Sequence, residues 1–231
     1  MSCPGSVDQL ILEQERLALA RPPAWQPPNH LYPIGGCFLC FPKGQSGYGA
    51  KGDRAWAGAA LITNDDQVVA TVVNGAAGAC YEAGLLALRE GPLLEAAVRS
   101  LPRMPDLLLV NATGRDHPRR AGLALHLGAL LDIPTVGVTH RPLVAEGDWP
   151  ESERGEHTPL LLDGDLVGYW LCTRSGTRPL AVHAAWRTDA EIARELVLAA
   201  TQTKIRTPEP VRQARCAART ARSAAQEASR R

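Results

Sequence analysis

The clearest pattern in the chain is an apolar run followed by a polar segment and then by a second apolar run. Residues 107–110 are Leu, Leu, Leu and Val, which is typical of a strand buried on both faces. Polar residues follow over 111–120, and apolar residues then recur at helical spacing up to Gly128. Because ligands of α/β sheets bind outside the carboxyl ends of strands, the segment 111–120 is the first candidate for a functional site.

Elsewhere the pattern predicts strands and helices in alternation. Apolar and β-branched runs predict strands over residues 34–41, 57–63, 67–73, 133–138, 160–162, 166–173 and 180–184. Helical spacing predicts helices over residues 6–20, from Pro92 to about Leu101 and over 189–201, with Pro92 at a first helical position. The turn 64–66, Asn-Asp-Asp, joins two strands into a hairpin. This order predicts a mixed α/β sheet with helices on both faces.

Length and charge limit the domain organisation. A chain of 231 residues can bury a full core, and its net charge of +1 gives no overall attraction to nucleic acid or membrane. From Lys204 onward, however, 8 basic residues face 2 acidic ones. We therefore predict one domain over residues 1–206, which includes an N-terminal helix and a proline-rich connector (1–33), and a basic C-terminal tail over 207–231. No signal peptide and no apolar run of the ~20 residues needed to cross a bilayer are present, so we expect a cytoplasmic protein.

Five segments, collinear along the chain, resemble motifs of one known family. They are DLLLVNATGRDHPRR (106–120), GCFLCF (36–41), YEAGLLALREGP (81–92), IPTVGVTH (133–140) and TPEPVR (207–212). The first is similar to the endonuclease V motif in which an apolar strand ends in Asp-Gly-His-Gly and continues to His-Pro-Arg. The fourth is similar to that family's Ile-Pro-Thr-Ile-Gly-Val-Ala-Lys. The resemblance covers roughly residues 7–220, and it implies an RNase H-like fold and cleavage of nucleic acid near deaminated purines, chiefly inosine.

The resemblance also implies acidic residues that hold Mg²⁺ or Mn²⁺, because phosphodiester cleavage uses a hard cation on oxygen ligands. At the positions of the first-strand aspartate, the central-strand aspartate and the late histidine, this chain has Phe38, Asn111 and Trp186. Only Glu90 is retained among the implied ligands. Since Phe and Trp offer no ligand atoms, the sequence predicts no metal and no other cofactor.

Further departures surround this site. The family's Pro-Tyr-Ile-Pro is Cys-Tyr-Glu-Ala over residues 80–83, its lysine is His140, and Asp116 adds a carboxylate. Acidic and apolar replacements in a groove oppose binding to polyanions. We therefore expect weakened nucleic-acid binding, and a small molecule as the substrate.

On the geometry that the family implies, ten residues approach one cavity. Glu90, Asn111 and His140 are predicted to be catalytic, and burial should raise the pKa of Glu90. The predicted substrate-binding residues are Phe38, Cys40, Tyr81, Thr113, Asp116, His117 and Trp186. Alternatives stay open: Phe38 and Trp186 could fill the space of a lost metal, Glu90 could form a structural ion pair, and His117 could fix its loop.

Three functions follow from the sequence. The first is an endonuclease V homologue that has lost its Mg-dependent site and acts as a metal-independent enzyme on a small organic substrate, through acid/base chemistry at Glu90. The second is a catalytically inactive protein that binds nucleic acid or protein. The third is residual endonuclease V activity on inosine-containing DNA or RNA, with Glu90 and Asn111. We expect the first of these.

Overall fold

The computed structural model describes residues 4–45, 49–63, 65 and 67–229, and within them eight strands form one mixed sheet. The strands are β1 (Ile34–Cys40), β2 (Arg54–Ile62), β3 (Val68–Ala76), β4 (Leu107–Val110), β5 (Thr135–Thr139), β6 (His157–Leu162), β7 (Asp165–Leu171) and β8 (Leu180–Ala184). Their order across the sheet is β3-β2-β1-β4-β5-β8-β7-β6. The pairs β1–β4 and β4–β5 are parallel, so three parallel strands form its centre and antiparallel strands flank them. The mixed sheet predicted from the sequence is confirmed.

Five helices of the described residues cover both faces of the sheet. They are α1 (Val7–Leu19), α2 (Leu86–Arg99), α3 (Leu123–Leu131), α4 (Ala190–Ala199) and α5 (Glu209–Ala228). One core joins α1, α2 and α3 to one face, through residues such as Leu10, Leu94 and Leu125. On the other face α4 and α5 pack through Val197 and Val211. No helix in this part of the chain has both the length and the apolar character of a membrane span.

The second helix begins six residues earlier than predicted. It starts at Leu86, and Pro92 lies inside it rather than at its first position. Proline cannot donate to the carbonyl four residues before it, here that of Leu88. Gly78 packs against this carbonyl, since a Cβ at Gly78 would lie 2.3 Å from the Leu88 oxygen. The backbone at Gly78 also donates its N–H to the Arg89 carbonyl at 3.0 Å, so the segment after β3 packs directly on this turn of the helix.

The predicted hairpin is present as β2 and β3, and both strands are longer than expected. Its turn residues Asn64 and Asp66 lie outside the described residues. The connector 21–33 contains no helix or strand, as predicted, and β8 has the predicted bounds.

The basic C-terminal segment forms α5, which packs along β1 and β2. Val211, Ala214 and Ala218 are buried in this contact. The approach is close, because a Cβ at Gly58 of β2 would lie 2.3 Å from the Ala214 carbonyl oxygen. The division of the chain at residue 206 stays a prediction, but α5 brings arginines next to the carboxyl ends of the central strands.

Candidate functional site

The carboxyl ends of β4 and β5 border a cavity of about 150 Å³. Asn111 follows β4 directly and Thr139 is the last residue of β5. The cavity is lined by Gln14, Tyr81, Glu82, Ala83, Gly84, Leu86, Ala87, Asn111, Ala112, Thr113, His117, Leu123, Thr139 and Leu143. Most of these side chains are apolar, and a few hydroxyl, amide and imidazole groups lie among them, which is the composition of a ligand pocket.

The polar segment after β4 is a fixed loop, and its contacts hold one wall of the cavity. Arg115 donates to the Ala18 carbonyl at the end of α1, 3.0 Å away. The His117 ring accepts a hydrogen bond from the Arg119 backbone N–H at Nδ1, so Nε2 carries the proton and donates to the Gly84 carbonyl at 3.0 Å. Burial lowers the pKa of His117 to about 4, and the ring is therefore neutral near pH 7. His117 thus contacts the backbone of the opposite wall of the cavity.

A buried chain of three polar side chains ends at the cavity. The Asp116 carboxylate accepts backbone hydrogen bonds from residues 143, 144 and 145 at 2.6, 2.9 and 2.7 Å. Its Oδ2 lies 3.5 Å from Nδ1 of His183, and Nε2 of His183 lies 2.8 Å from Oγ1 of Thr139. Asp116 and His183 have no exposed surface. Burial lowers the pKa of His183, which keeps the imidazole neutral.

Sequence reasoning missed His183, which lies outside the five motifs, and it passed over Thr139, which lies within the motif at 133–140 but not at a metal position that the resemblance implies. The available signal was one histidine in the otherwise apolar strand over 180–184. A buried polar side chain requires a partner, and the partner of His183 comes from the neighbouring strand β5.

Glu90 lies on α2 with a largely buried carboxylate that makes no hydrogen bond or ion pair with any residue the structure describes. Burial raises its pKa from 4.5 to about 7, and the positive charge of Arg89 opposes this rise only in part. The predicted direction of the shift is confirmed. Arg89 itself pairs with Asp53 at 2.9 Å, so the predicted alternative, a structural ion pair of Glu90 with Arg89, does not form.

This shift predicts how stability depends on pH. Between pH 4.5 and 7 the folded protein keeps a proton on Glu90 that the unfolded chain loses, so this contribution to stability falls as the pH rises through that window. Glu90→Gln removes the effect. We expect the variant to gain stability relative to wild type from pH 5 to pH 8, by on the order of 3 kcal/mol.

Urea unfolding at several pH values measures this difference. The exposed Glu151→Gln variant is the control, and its stability should stay parallel to that of wild type at every pH. If the free energy of unfolding of Glu90→Gln changes with pH in the same way as that of wild type, Glu90 is not a buried ionisable carboxylate.

Phe38 and Cys40 lie on the opposite face of the sheet from Glu90. Both pack against α5 with Trp56 and Ala218, whereas Cys37 between them belongs to the core around α2. Side chains along this strand therefore alternate between the two faces of the sheet. Arg219 of α5 lies over the Phe38 ring, 5.5 Å from its centroid.

Trp186 and His140 are likewise away from the cavity. Trp186 packs partly buried against α3, where its Cβ lies close to Gly128, and its indole Nε1 is buried with no partner among the described residues. His140 lines a separate groove, and its pKa is lowered by burial and by the charges of Arg206 and Arg215.

The expectation that ten predicted residues line one cavity is wrong. Tyr81, Asn111, Thr113 and His117 line it, and the other six do not. The physical reason is the sheet itself, since side chains of one strand alternate between its two faces. Asp116 points away from the cavity and toward residues 143–145. The catalytic and binding roles assigned to the ten residues stay predictions.

The residues at the family's metal positions do not fit a resident divalent cation. Over the described ranges no three His, Cys, Asp or Glu side chains are grouped so that they could hold a metal ion. Phe38 and Trp186 have no ligand atoms and pack as apolar side chains, and Asn111 donates its amide Nδ2 to the Val138 carbonyl at 3.4 Å. One carboxylate and one amide are far fewer than the six oxygen ligands that Mg²⁺ takes.

A basic groove adjoins the cavity at residues 140–142. It has a volume of about 580 Å³, and we call it the basic groove. It is lined by His140, Arg141, Pro142, Trp149, Trp170, Arg178, Pro179 and Arg206. Trp149 is 57% exposed and its ring packs edge-on against Trp170, with 6.0 Å between the centroids. Cations beside an exposed aromatic ring are the features with which proteins bind single-stranded nucleic acid.

The cations continue from the basic groove onto α5. Lys43, Arg212, Arg215 and Arg219 line one surface there, which we call the α5 basic face. The charge of Arg215 lowers the pKa of Arg206 in the basic groove, so the two surfaces lie close to each other. Neither Arg215 nor Arg219 pairs with a carboxylate in the described part of the chain.

The parallel central strands, the flanking antiparallel strands and the helices on both faces define an RNase H-like α/β fold. The family model described as endonuclease V matches residues 44–216, which is more than half of the chain. The chain belongs to the endonuclease V family.

Individual relatives agree with this assignment. The endonuclease V of Methanopyrus kandleri is 43% identical over 141 residues, and the match covers 61% of this chain and 60% of that protein. The crystal structure of endonuclease V from Streptomyces avermitilis superposes with a TM-score of 0.83 at 31% identity, covering 97% of this chain and 96% of the other. The Ciona intestinalis enzyme, solved with DNA that contains an inosine, has a TM-score of 0.75 at 19% identity, over 93% and 97%. This last likeness shows the fold alone.

These findings correct the functional expectation. A small-molecule enzyme with acid/base chemistry at Glu90 is wrong as the main interpretation, because the chain matches proteins named endonuclease V at 43% identity. The expected small-molecule partner is wrong for the same reason. The residues that differ from the family's metal motif led the sequence interpretation to a new ligand. That interpretation did not consider the cations of α5 and of the basic groove, which lie outside the metal motif. The third alternative, endonuclease V activity, is favoured.

Proposed function

We propose that this chain is an endonuclease that cleaves DNA or RNA strands near inosine. The observation that carries the proposal is the course of the chain after β5, where Thr139 lines the cavity and the next two residues, His140 and Arg141, line the basic groove. One site can thus receive a base while the neighbouring surface binds the phosphates of the same strand. The substrate comes from the family, whose name the relatives carry and whose Ciona member was solved with inosine-containing DNA. Cytoplasmic localisation stays part of this proposal.

The basic groove and the α5 basic face are the proposed path of the strand. Backbone phosphates are neutralised by Arg and Lys with release of counterions, and bases stack on aromatic side chains. Arg178 and Arg206 supply cations in the groove, and Trp149 supplies an exposed ring. These groups favour nucleic acid, and they offset the carboxylate that Glu82 places near the cavity.

The cavity is the proposed site of the extruded base. Enzymes that act on a base in a duplex rotate its nucleotide out of the stack and hold it between aromatic and apolar side chains. Tyr81 lines the cavity and is 47% exposed, so its ring is accessible to a base. Thr113 and the amide of Asn111 line the same cavity and supply hydrogen-bonding groups for the polar edge of a purine.

Cleavage of two oligonucleotides that differ only in one inosine or guanosine tests this proposal. We expect the purified chain to nick the inosine strand much faster. Stacking on a tyrosine contributes about 1–3 kcal/mol per base, so Tyr81→Ala should slow nicking of the inosine strand by roughly tenfold. Because Tyr81 is half exposed, the variant should keep its fold.

Leu31→Ala is the matched control, since Leu31 is 71% exposed and far along the chain from the cavity. It should nick the inosine strand at the rate of wild type. Equal treatment of the inosine and guanosine strands by wild type contradicts the proposal.

A further inference from the structure

We propose that β3 is an interaction surface for a second copy of this chain, and that two copies pair their β3 strands antiparallel into one continuous sheet. β3 is the strand at one end of the sheet, and among the described residues only β2 pairs with it. Its outer edge therefore presents backbone groups that no described strand of the same copy satisfies. The inference goes beyond the proposed function and does not depend on it.

The backbone contacts of the hairpin identify the residues of β3 that face outward. At one end the Thr63 N–H donates to the Gln67 carbonyl at 3.0 Å, and at the other the Ala77 N–H donates to the Asp53 carbonyl at 2.7 Å. The register between these ends is continuous, and inward and outward backbone groups alternate along an antiparallel edge strand. Odd-numbered residues of β3 therefore bond to β2. The outward N–H and C=O groups belong to Val68, Ala70, Val72, Asn74 and Ala76.

This edge lacks the features with which proteins protect an exposed strand. Such strands are usually short, carry charged side chains, proline or a bulge, or are covered by another segment. The 9 residues of β3 include no charged residue and no proline, and Val68 and Val69 are 43% and 36% exposed. By contrast β6, at the other end of the sheet, contains Pro159 and a bulge, and Glu146 bridges to it. Of the two outer strands that the structure describes, β3 is thus the open one.

The outward positions of β3 match those of a second copy about a twofold axis at Val72. With Val72 opposite Val72 of the second copy, Ala70 of one copy faces Asn74 of the other, and Val68 faces Ala76. All the outward backbone groups of both strands are then paired. Such an interface is isologous and leaves no free β3 edge on either copy, so the assembly closes at two copies.

Charges at the two ends of β3 favour the antiparallel orientation. The turn before β3 carries the exposed Asp65, whereas the exposed Arg54 of β2 lies opposite the last residue of β3. Antiparallel pairing places the Asp65 end of one copy beside the Arg54 end of the other, at both ends of the interface. Parallel pairing would bring like charges together. The charge pattern therefore selects the orientation that the twofold axis requires.

The helices that flank β3 leave room for this pairing. α5 packs on one face of β3, where Ala221 and Ala225 lie in the same cluster as Val72, and α2 packs on the other face, where Leu93 contacts Gly75. A twofold axis through an antiparallel strand pair is perpendicular to the sheet, so it keeps each face on its own side. The α5 basic faces of the two copies therefore lie on the same side of the joined sheet, where both are accessible to one polyanion.

Light scattering after size-exclusion chromatography, at several protein concentrations, measures the mass of wild type, Ala70→Pro and Ala70→Thr. Proline at residue 70 removes an outward N–H that makes no hydrogen bond to β2, and edge strands tolerate proline. Threonine keeps this N–H and suits a strand, so Ala70→Thr is the matched control. Thermal unfolding of each variant verifies the fold. Hydrogen exchange of wild type over residues 68–76 locates the contact without any substitution.

We expect wild type and Ala70→Thr to approach about twice the 24.8 kDa of one chain as the concentration rises. Ala70→Pro should need a concentration more than about tenfold higher, because the twofold axis removes one hydrogen bond at each copy. The amides of residues 70, 72 and 74 should exchange more slowly in wild type at high concentration.

Two results would overturn the inference. A wild type that keeps the mass of one chain up to the limit of solubility overturns the dimer. A dimer that Ala70→Pro leaves equally stable, or whose formation does not slow exchange over residues 68–76, overturns β3 as its surface. Neither result bears on the cleavage of inosine strands, so the proposed function is tested separately.

Discussion

Asp116→Ala is expected to destabilise the protein by about 3–5 kcal/mol. The substitution leaves three backbone N–H groups of residues 143–145 without their acceptor, and it removes the carboxylate that faces the buried ring of His183. Loss of an acceptor costs about 1–3 kcal/mol for each backbone donor that it leaves unpaired, and three donors lose theirs here. Asp116 has no exposed surface, and Ala145, one of the three donors, is buried as well.

Urea unfolding of the variant measures this loss. Asp165→Ala is the matched control, because Asp165 pairs with Arg120 at 3.4 Å but its side chain is 78% exposed. Exposed pairs contribute about 0–1 kcal/mol, so the control should stay within that range. If the two variants lose equal stability, Asp116 does not hold the loop in the way described here.

Neutralising two arginines of the α5 basic face is expected to weaken binding to single-stranded DNA roughly 20-fold at about 0.1 M salt. Each phosphate contact adds about 0.7 to the slope of log affinity against log salt for a single strand. The double variant Arg215→Gln, Arg219→Gln should therefore reduce this slope by about 1.4. Both side chains lie on the surface that contains Cys216 and Thr220, and no described carboxylate pairs with them.

Fluorescence anisotropy with a labelled oligonucleotide at several salt concentrations gives both quantities. Arg99→Gln is the control, because Arg99 lies at the other end of α2 from the cavity and pairs with Glu95 at 2.8 Å. Its slope should equal that of wild type. An unchanged slope in the double variant contradicts the proposed path of the strand over α5.

The central sheet could be predicted from the sequence because its strands are apolar on both faces. The run 107–110 and the strand over 180–184 are buried at every position. A continuous apolar run therefore identifies each strand without knowledge of the helices that cover it. The start of α2 could not be predicted, because proline usually lies in the first turn of a helix and Pro92 lies in the interior of this one. The contact between Gly78 and Leu88 at this turn exists only in the folded protein.

The packed α5 was also beyond the sequence pattern. The side chains that it buries are mostly small, namely Ala214 and Ala218 together with Val211, and they give a weak apolar signal between arginines. Its contact depends on Gly58, which lets the helix backbone approach β2. The resulting basic surface was predicted as a tail, and nucleic-acid binding was underestimated as a consequence.

The candidate site was predicted in part. The polar segment after β4 does border the cavity, because the carboxyl ends of parallel strands meet at one edge of the sheet. The contact between His183 and Thr139 could not be predicted, since these residues are 44 positions apart and meet only through the pairing of β5 with β8. Thr139 lies inside the motif at 133–140 but His183 lies outside all five motifs, so the motifs could not show their contact.

The most direct test of the central claim is a map of the cleavage products of end-labelled strands in which a single inosine is moved by known numbers of nucleotides. An inosine-directed endonuclease predicts one nick at a fixed distance from the inosine, which moves with it, and no nick when guanosine takes its place. Intact strands at stoichiometric enzyme, or nicks whose positions ignore the inosine, contradict the account.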